Sequence, residues 1–225
     1  MHRLISFAYI YLIPLFFSAI FSLKAFRLKW PKPYTIFSIF LISTLCVETL
    51  AIAWKWGLCS TAWWHFSPSN LWIYNGFVII RHLFILGFFY GIIPSLLLRK
   101  LILGSVIPFL LFAVANYVFI QKPDNVNNYT IVLANTITIL LVLGFFYQLL
   151  KDKQIISLRR STPVWISFGA FLYYSGTLPL FIFFDYLLKH HLSMALSYLY
   201  INDGLNIIMY TSYLISFLCT PHSLK

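Results

Sequence analysis

Uninterrupted apolar runs recur along the whole of this 225-residue chain, and most of them are as long as a helix that crosses a bilayer. The hydrocarbon core of a membrane is about 30 Å thick, which a helix crosses in roughly 20 residues. Because 61% of the residues are hydrophobic and only 9% are charged, the chain lacks the polar surface of a water-soluble fold. The runs are continuously apolar and do not alternate, so they predict helices and not a membrane barrel. We therefore expect an all-α integral membrane protein.

Seven such runs predict a bundle of seven membrane-spanning helices that forms one domain over residues 1–225. The predicted spans are 4–22, 35–54, 71–98, 101–120, 130–150, 164–188 and 204–221. The third span is longer than a bilayer requires, so we expect tilt or an extension beyond the membrane, with Pro94 bending its inner end.

The 16 lysines and arginines are distributed unevenly between the predicted loops. The first, third and fifth loops and the tail carry most of them: Lys24, Arg27, Lys29, Lys32, Arg99, Lys100, Lys151, Lys153, Arg159, Arg160 and Lys225. The opposite side carries only Arg3, Lys55, Lys122 and Lys189, and Arg81 lies within a span. The positive-inside rule then predicts an N-terminus outside and a C-terminus in the cytoplasm. Contact with anionic lipid headgroups accounts for the net charge of +11, so no nucleic-acid partner is expected.

Ionisable and amide side chains within the spans concentrate in the outer half of the predicted bundle. The candidate ligand-pocket residues are Glu48, Asn75, Arg81, His82, Asn116, Asn135 and Asp185. Such groups are expensive in hydrocarbon, so they must face the bundle interior, a watery cavity or a partner. We interpret the set as an outward-facing polar pocket. Interhelical hydrogen bonds that only stabilise the bundle are the alternative. For Asp185 and Asn206 individually, a position at the interface in contact with water is the favoured explanation.

Glu48 is the only acidic residue deep enough to pair with Arg81 or His82. A buried unpaired charge is very costly, so we predict an ion pair between Glu48 and Arg81, which His82 can share. On the third helix, Tyr74 and Arg81 share one face, and Asn75 and His82 share a neighbouring face, because residues seven apart lie two turns from each other.

Three further features concern packing and surfaces. Gly87 and Gly91 form a small-xxx-small pair, which predicts the close approach of another helix. Five of the seven tryptophans lie in or beside the second loop, 55–70, and predict an interfacial belt or a cap over the pocket. The fifth loop, 151–163, mixes apolar and basic residues, which is typical of a positive-inside loop or of a segment that docks a cytoplasmic partner.

No motif in the chain predicts catalysis. The histidines and acids outside the spans have no metal-ligand spacing, and there is no lysine in the last span for a retinal Schiff base. We expect no enzymatic activity, no metal and no cofactor.

The last two spans contain Trp165, the run Tyr174-Ser175-Gly176, Asn206, Tyr210 and the segment 217–219. This pattern resembles an uncharacterised group of small bacterial seven-helix membrane proteins. The resemblance implies a multi-pass location in a bacterial inner membrane, and it supplies neither an activity nor a site residue.

The polar outer half and the short loops together favour a sensor or receptor-like protein. It would bind a small ligand from outside and pass a change in helix packing to a separate membrane or cytoplasmic protein partner. A small-molecule transporter is the alternative, since a charged pair near the midplane and bent helices suit alternating access. A transporter would also need polar groups along an inward route. A structural subunit of a membrane complex is the second alternative.

Overall fold

A computed structural model describes residues 9–58, 61, 67, 69–121, 125–151, 158–219 and 221 of the chain. These residues form seven helices and no β-strand, which confirms the all-α prediction for the described part. The helices are α1 (Leu12–Ser22), α2 (Lys32–Ile52), α3 (Leu71–Ile92), α4 (Leu96–Ala115), α5 (Asn128–Lys151), α6 (Thr162–His190) and α7 (Leu192–Leu218). Short helical turns occupy Lys24–Arg27 and Leu158–Arg160, and wider π-helical turns extend α2 through Ala53–Gly57 and α4 through Asn116–Ile120.

Five of the described helices are long and apolar enough to cross a membrane. They are α2 and α4, each with its π-helical extension, together with α3, α5 and α6. The described part of α1 is only 11 residues long, and α7 is not among the five. These five helices indicate a multi-pass membrane protein.

The third and fourth helices differ from the predicted spans 71–98 and 101–120. Helix α3 ends at Ile92, and α4 begins at Leu96. Pro94 causes the break, because it has no N–H to donate and disfavours the helical conformation of the residue before it. Ile93 is accordingly extended, with φ −78° and ψ 120°. Pro94 therefore separates two helices, and the prediction that it bends the inner end of a longer helix is wrong.

The last helix also differs from its predicted span, 204–221. Helix α7 begins at Leu192 because the segment that follows is rich in Leu, Met and Ala, which are strong helix formers. Only His191, with φ −144° and ψ 67°, separates it from α6. At 29 residues, α6 is about 43 Å long, which exceeds the thickness of the hydrocarbon core.

Contacts between helix termini show that consecutive helices run in opposite directions. The Ser38 hydroxyl donates to the carbonyl of Ser22 at 2.9 Å, which joins the start of α2 to the end of α1. The Trp30 ring stacks on Phe217 at 5.8 Å, so the end of α7 lies there too. We call this the basic end, because it carries the segments 24–32, 99–100 and 158–160. The opposite end carries 53–58, 116–121 and the break between α6 and α7 at His191, and we call it the cavity end.

Aromatic side chains fill the half of the bundle next to the basic end. Phe37 is fully buried and lies between Phe40, Phe88 and Tyr213, with ring centroids at 5.2, 4.9 and 4.9 Å respectively. Rings at these distances pack edge to face or tilted, which aromatic side chains prefer. This half of the bundle is therefore filled by packed side chains.

Glycines set the closest helix contacts. A Cβ at Gly91 would meet the Cγ of Pro33 and lie 3.0 Å from its Cβ, and one at Gly87 would lie 3.5 Å from Ile36, so the predicted close approach at this pair is made by α2. A second tight contact joins α6 to α7. A Cβ at Gly169 would lie 2.7 Å from the Cβ of Ser212 and 3.1 Å from the carbonyl oxygen of Met209. Neither neighbour is the flexible end of a side chain, so only movement of the helices could make room.

Replacing Gly169 with alanine is therefore expected to separate α6 from α7 and to destabilise the protein by about 1–3 kcal/mol, the usual range for overpacking. The measurement is the unfolding midpoint of the purified protein in detergent. Gly104→Ala is the matched control, because a Cβ at Gly104 meets nothing within 4 Å. Equal midpoints for the two variants would contradict the tight α6–α7 contact.

Candidate functional site

A cavity of about 630 Å³ lies inside the bundle towards the cavity end. Helices α2, α3, α5, α6 and α7 contribute to its wall, together with residues just before α1 and α5. The helices alternate in direction, so the cavity is lined by the C-terminal parts of α2 and α6 and by the N-terminal parts of α3 and α7. Its volume is within the range of small-molecule sites.

Glu48 on α2 is the best-anchored charged group of the cavity wall. Its Oε2 atom accepts hydrogen bonds from the hydroxyl of Tyr11 at 2.9 Å and from the hydroxyl of Tyr74 at 3.0 Å. Tyr11 immediately precedes α1, and Tyr74 is in the first turn of α3. Hydrogen bonds to an ionised acceptor are stronger than neutral ones, so this carboxylate ties three helices together.

Arg81 on α3 also lines the cavity, and tyrosines surround it. Its guanidinium carbon lies 5.7 Å from the ring centroid of Tyr174, a cation–π arrangement. Tyr173 and Tyr210, which also line the cavity, lie close enough to act on it electrostatically. These rings come from α6 and α7, so Arg81 connects α3 to the other side of the bundle.

The predicted ion pair between Glu48 and Arg81 is wrong. The two groups act on each other electrostatically, but their nitrogen and oxygen atoms do not come within the 4.0 Å of a salt bridge. Tyrosine hydroxyls hold the carboxylate, and tyrosine rings hold the guanidinium. An opposite charge is therefore not needed to stabilise either group, because aromatic side chains take that place.

His82 lies apart from this cavity wall. It is buried, and its ring centroid is 4.2 Å from that of Phe109 on α4. Its Nε2 atom has no hydrogen-bond partner among the described residues. The prediction that Arg81 and His82 occupy different faces of α3 is thus confirmed, whereas the prediction that His82 shares Glu48 is wrong.

The asparagines that were predicted to line the pocket differ in their positions in the structure. Asn75 lines the cavity, donates to the carbonyl of Asn125 at 2.9 Å and accepts from the backbone N–H of Asn127 at 3.1 Å. Asn116 donates to Asn127 and, at 3.0 Å, to the Thr130 hydroxyl. These bonds fasten the segment before α5 onto α3 and α4.

Asn135 and Asp185 are not among the lining residues of the cavity. The Asn135 side chain donates to the hydroxyl of Thr177 at 3.1 Å and joins α5 to α6. Asp185 is partly exposed in the last two turns of α6. The structure therefore brings Glu48, Asn75 and Arg81 to one cavity and leaves the other four candidates outside it.

Several lining residues were absent from the sequence-based set. Six tyrosines contribute to the wall: Tyr9, Tyr11, Tyr74, Tyr173, Tyr200 and Tyr210. Asp203 and Asn206 join them from α7, where the predicted span began too late to include Asp203. Tyrosine is common at membrane interfaces, so its frequency gave no signal. The position of Tyr74 seven residues before Arg81 was the one available indication, and both side chains line the cavity.

The second-loop tryptophans are partly described. The Trp54 indole donates to the carbonyl of Ser67 at 3.1 Å and packs edge to face on Trp72 at 5.2 Å. The Trp56 indole donates to the Tyr9 hydroxyl at 3.1 Å at the rim of the cavity. Trp63 and Trp64 lie outside the described residues.

Among the described residues, no three His, Cys, Asp or Glu side chains are grouped closely enough to hold a metal ion. Family models, curated proteins and solved structures provide no significant match to the chain. The cavity itself is therefore the basis for any functional conclusion.

Removing one tyrosine hydroxyl tests the Glu48 cluster. We expect Tyr74→Phe to destabilise the protein by about 1–3 kcal/mol, because a hydrogen bond to a charged group is lost and a buried acceptor loses a donor. Combined with Glu48→Gln, the two losses should be less than additive, since Glu48→Gln removes the charge of the acceptor to which Tyr74 donates.

The readout is the unfolding midpoint in detergent, and Tyr147→Phe is the control because Tyr147 is exposed on α5. Additive effects of Tyr74→Phe and Glu48→Gln would show that the hydrogen bond does not contribute to stability.

Proposed function

We propose that this chain is a sensor or receptor-like membrane protein that crosses the bilayer seven times, with its N-terminus outside and its C-terminus in the cytoplasm. A small ligand enters the cavity from outside, and a change in helix packing is passed to a separate protein partner at the basic end. The observation that carries the proposal is a charged, tyrosine-lined cavity at one end of a bundle whose other end is filled with aromatic side chains.

The distribution of basic residues supports the orientation. The described turns at the basic end expose Arg27, Lys29, Arg159 and Arg160, whereas the described lysines and arginines towards the cavity end are Lys189 and, on the cavity wall, Lys55 and Arg81. Basic residues near membrane-spanning helices remain in the cytoplasm. The cavity end then faces outside.

The arrangement of polar and apolar residues on α7 is compatible with a seventh crossing of the membrane. Its polar residues Asn206, Ser212 and Ser216 are buried, while Ile208 and Leu218 are exposed. A helix that turns its polar face towards the bundle presents an apolar face to lipid. The average hydropathy of α7 is lowered by side chains that would not contact the membrane.

The packed basic half favours a sensor over a transporter. Alternating access needs a polar route that opens on the second side of the membrane. Here Phe37, Phe88 and Tyr213 close that route with ring contacts. Signalling needs only a shift in these contacts, and the short basic turns offer a surface for a cytoplasmic partner. The resemblance of the last two spans supports a bacterial inner membrane as the location, and we propose no catalytic role.

Cysteine accessibility tests the direction in which the cavity opens. In a background without Cys46, Cys59 and Cys219, Val78→Cys places a thiol on the cavity wall. We expect a small membrane-impermeant thiol reagent to modify it in right-side-out vesicles, because the cavity admits water from outside.

Two variants serve as controls. Ile80→Cys should stay unmodified because Ile80 is exposed on α3 without lining the cavity, so it would face lipid. Leu28→Cys, at the basic end, should react only in inverted vesicles. Modification of Val78→Cys from the inner side would support a transporter, and no modification from either side would contradict a ligand-accessible cavity.

A further inference from the structure

The cavity wall carries equal numbers of acidic and basic side chains, and these do not form ion pairs with each other. Two acids, Glu48 and Asp203, and two bases, Lys55 and Arg81, line the cavity. Within the described part of the chain, none of the four comes within salt-bridge distance of another, although Glu48 and Asp203 lie close enough to influence each other. A cavity that only had to be neutral could pair these groups directly, which would remove both charges from solvent.

Glu48 retains an oxygen for a ligand. Both tyrosine hydroxyls donate to Oε2, and Oε1 has no hydrogen-bond partner among the described residues. Oε1 is also not among the buried polar atoms that lack a partner, so it is accessible from the cavity. A carboxylate can accept several hydrogen bonds, and an ammonium group supplies three donors.

Arg81 offers a complementary anion site. The ring of Tyr174 packs against its guanidinium, and no carboxylate in the described residues is paired with it. The guanidinium has five N–H donors in a planar fork that matches a carboxylate. Arg81 is 11 residues after Asn70, which also lines the cavity, so its backbone lies roughly 16 Å deeper along α3.

Much of the rest of the wall is apolar, although four asparagines and a threonine also line it. Leu71, Phe77, Val78 and Phe181 line the cavity together with the tyrosine rings. A ligand that carries only charged groups would leave these side chains without contacts. An apolar or aromatic body attached to the charged groups would bury them.

We propose that the cavity binds an amino-acid-like zwitterion with an apolar body, with its ammonium group at Glu48 and its carboxylate at Arg81. This assignment rests on the proposed outward-opening cavity. A ligand with only a positive charge would be repelled by Arg81, and one with only a negative charge would be repelled by Glu48 and Asp203. The fixed separation of the two charges is complementary to a molecule that carries both, and such preorganisation favours affinity.

Ligands that carry only one of the two charges, which we call half-ligands, test the two charge contacts separately. The probes are L-phenylalanine and L-leucine as zwitterions, phenethylamine with the ammonium group alone, and 3-phenylpropionate with the carboxylate alone. Binding is measured in two ways, by the thermal shift of the wild-type protein and by protection of Val78→Cys from modification. We expect an amino acid to bind about 30-fold or more tightly than either half-ligand, because each lost charge contact is a buried one.

Two substitutions assign the contacts. Glu48→Gln should abolish binding of phenethylamine without weakening that of 3-phenylpropionate, and Arg81→Gln should do the opposite. Lys151→Gln is the control, because Lys151 is exposed at the basic end. If a substitution prevents folding, the comparison of the four probes on the wild-type protein still decides the question.

Phenethylamine binding as tightly as L-phenylalanine would overturn the proposal in favour of a cation site, and equal binding of 3-phenylpropionate would overturn it in favour of an anion site. Failure of both amino acids to bind at millimolar concentration would overturn it as well. In each case, modification of Val78→Cys from outside would leave the proposed outward-opening cavity intact. Absence of that modification would count against the proposed function itself.

Discussion

The carboxylate of Glu48 is the group on which the arrangement of the cavity end depends. A charged side chain inside a membrane bundle is costly unless polar groups replace its hydration. The hydroxyls of Tyr11 and Tyr74 do this, and in doing so they fix the start of α1 and the first turn of α3 against α2. Because both donors point at one oxygen, the carboxylate is held without being enclosed. The space beside it becomes a cavity and not a packed core.

The half of the bundle next to the basic end is stabilised by close packing and not by a charged group. Lipid tails are as apolar as the helices, so burial alone does not bring membrane helices together, and close packing has to do so. Glycines let α6 approach α7 and α3 approach α2, and aromatic rings around Phe37 fill the space between them. Packed interfaces of this kind have discrete arrangements, so a ligand that repositions Tyr74 or Tyr210 can change them as a unit. This is the physical link between the cavity and the basic end in the proposed function.

Sequence reasoning predicted the helices well and the site only in part. Continuous apolar runs identify helices because a helix satisfies its backbone hydrogen bonds within one segment, whereas the strands of a membrane barrel would show alternating apolar and polar residues. Two predicted helix boundaries are wrong because local sequence determines them. Pro94 ends α3 early, and the helix-forming segment after His191 starts α7 early. For the site, Glu48 and Arg81 were found because charges in spans are rare. Their partners were missed because tyrosines are common everywhere in this chain and only the fold shows which of them converge.

The error in the predicted ion pair is itself informative. Two unit charges about 4 Å apart attract each other by about 4 kcal/mol at an effective dielectric constant of 20, so separated charges forgo a substantial stabilisation. The hydroxyls on Glu48 and the rings around Arg81 offset that loss, and they use side chains from α1, α3, α6 and α7 to do it. A bundle that needed only stability could have paired the charges with fewer residues. Holding them apart is useful if a third group belongs between them, and the wall of the cavity supplies the shape and the apolar surface to accept one.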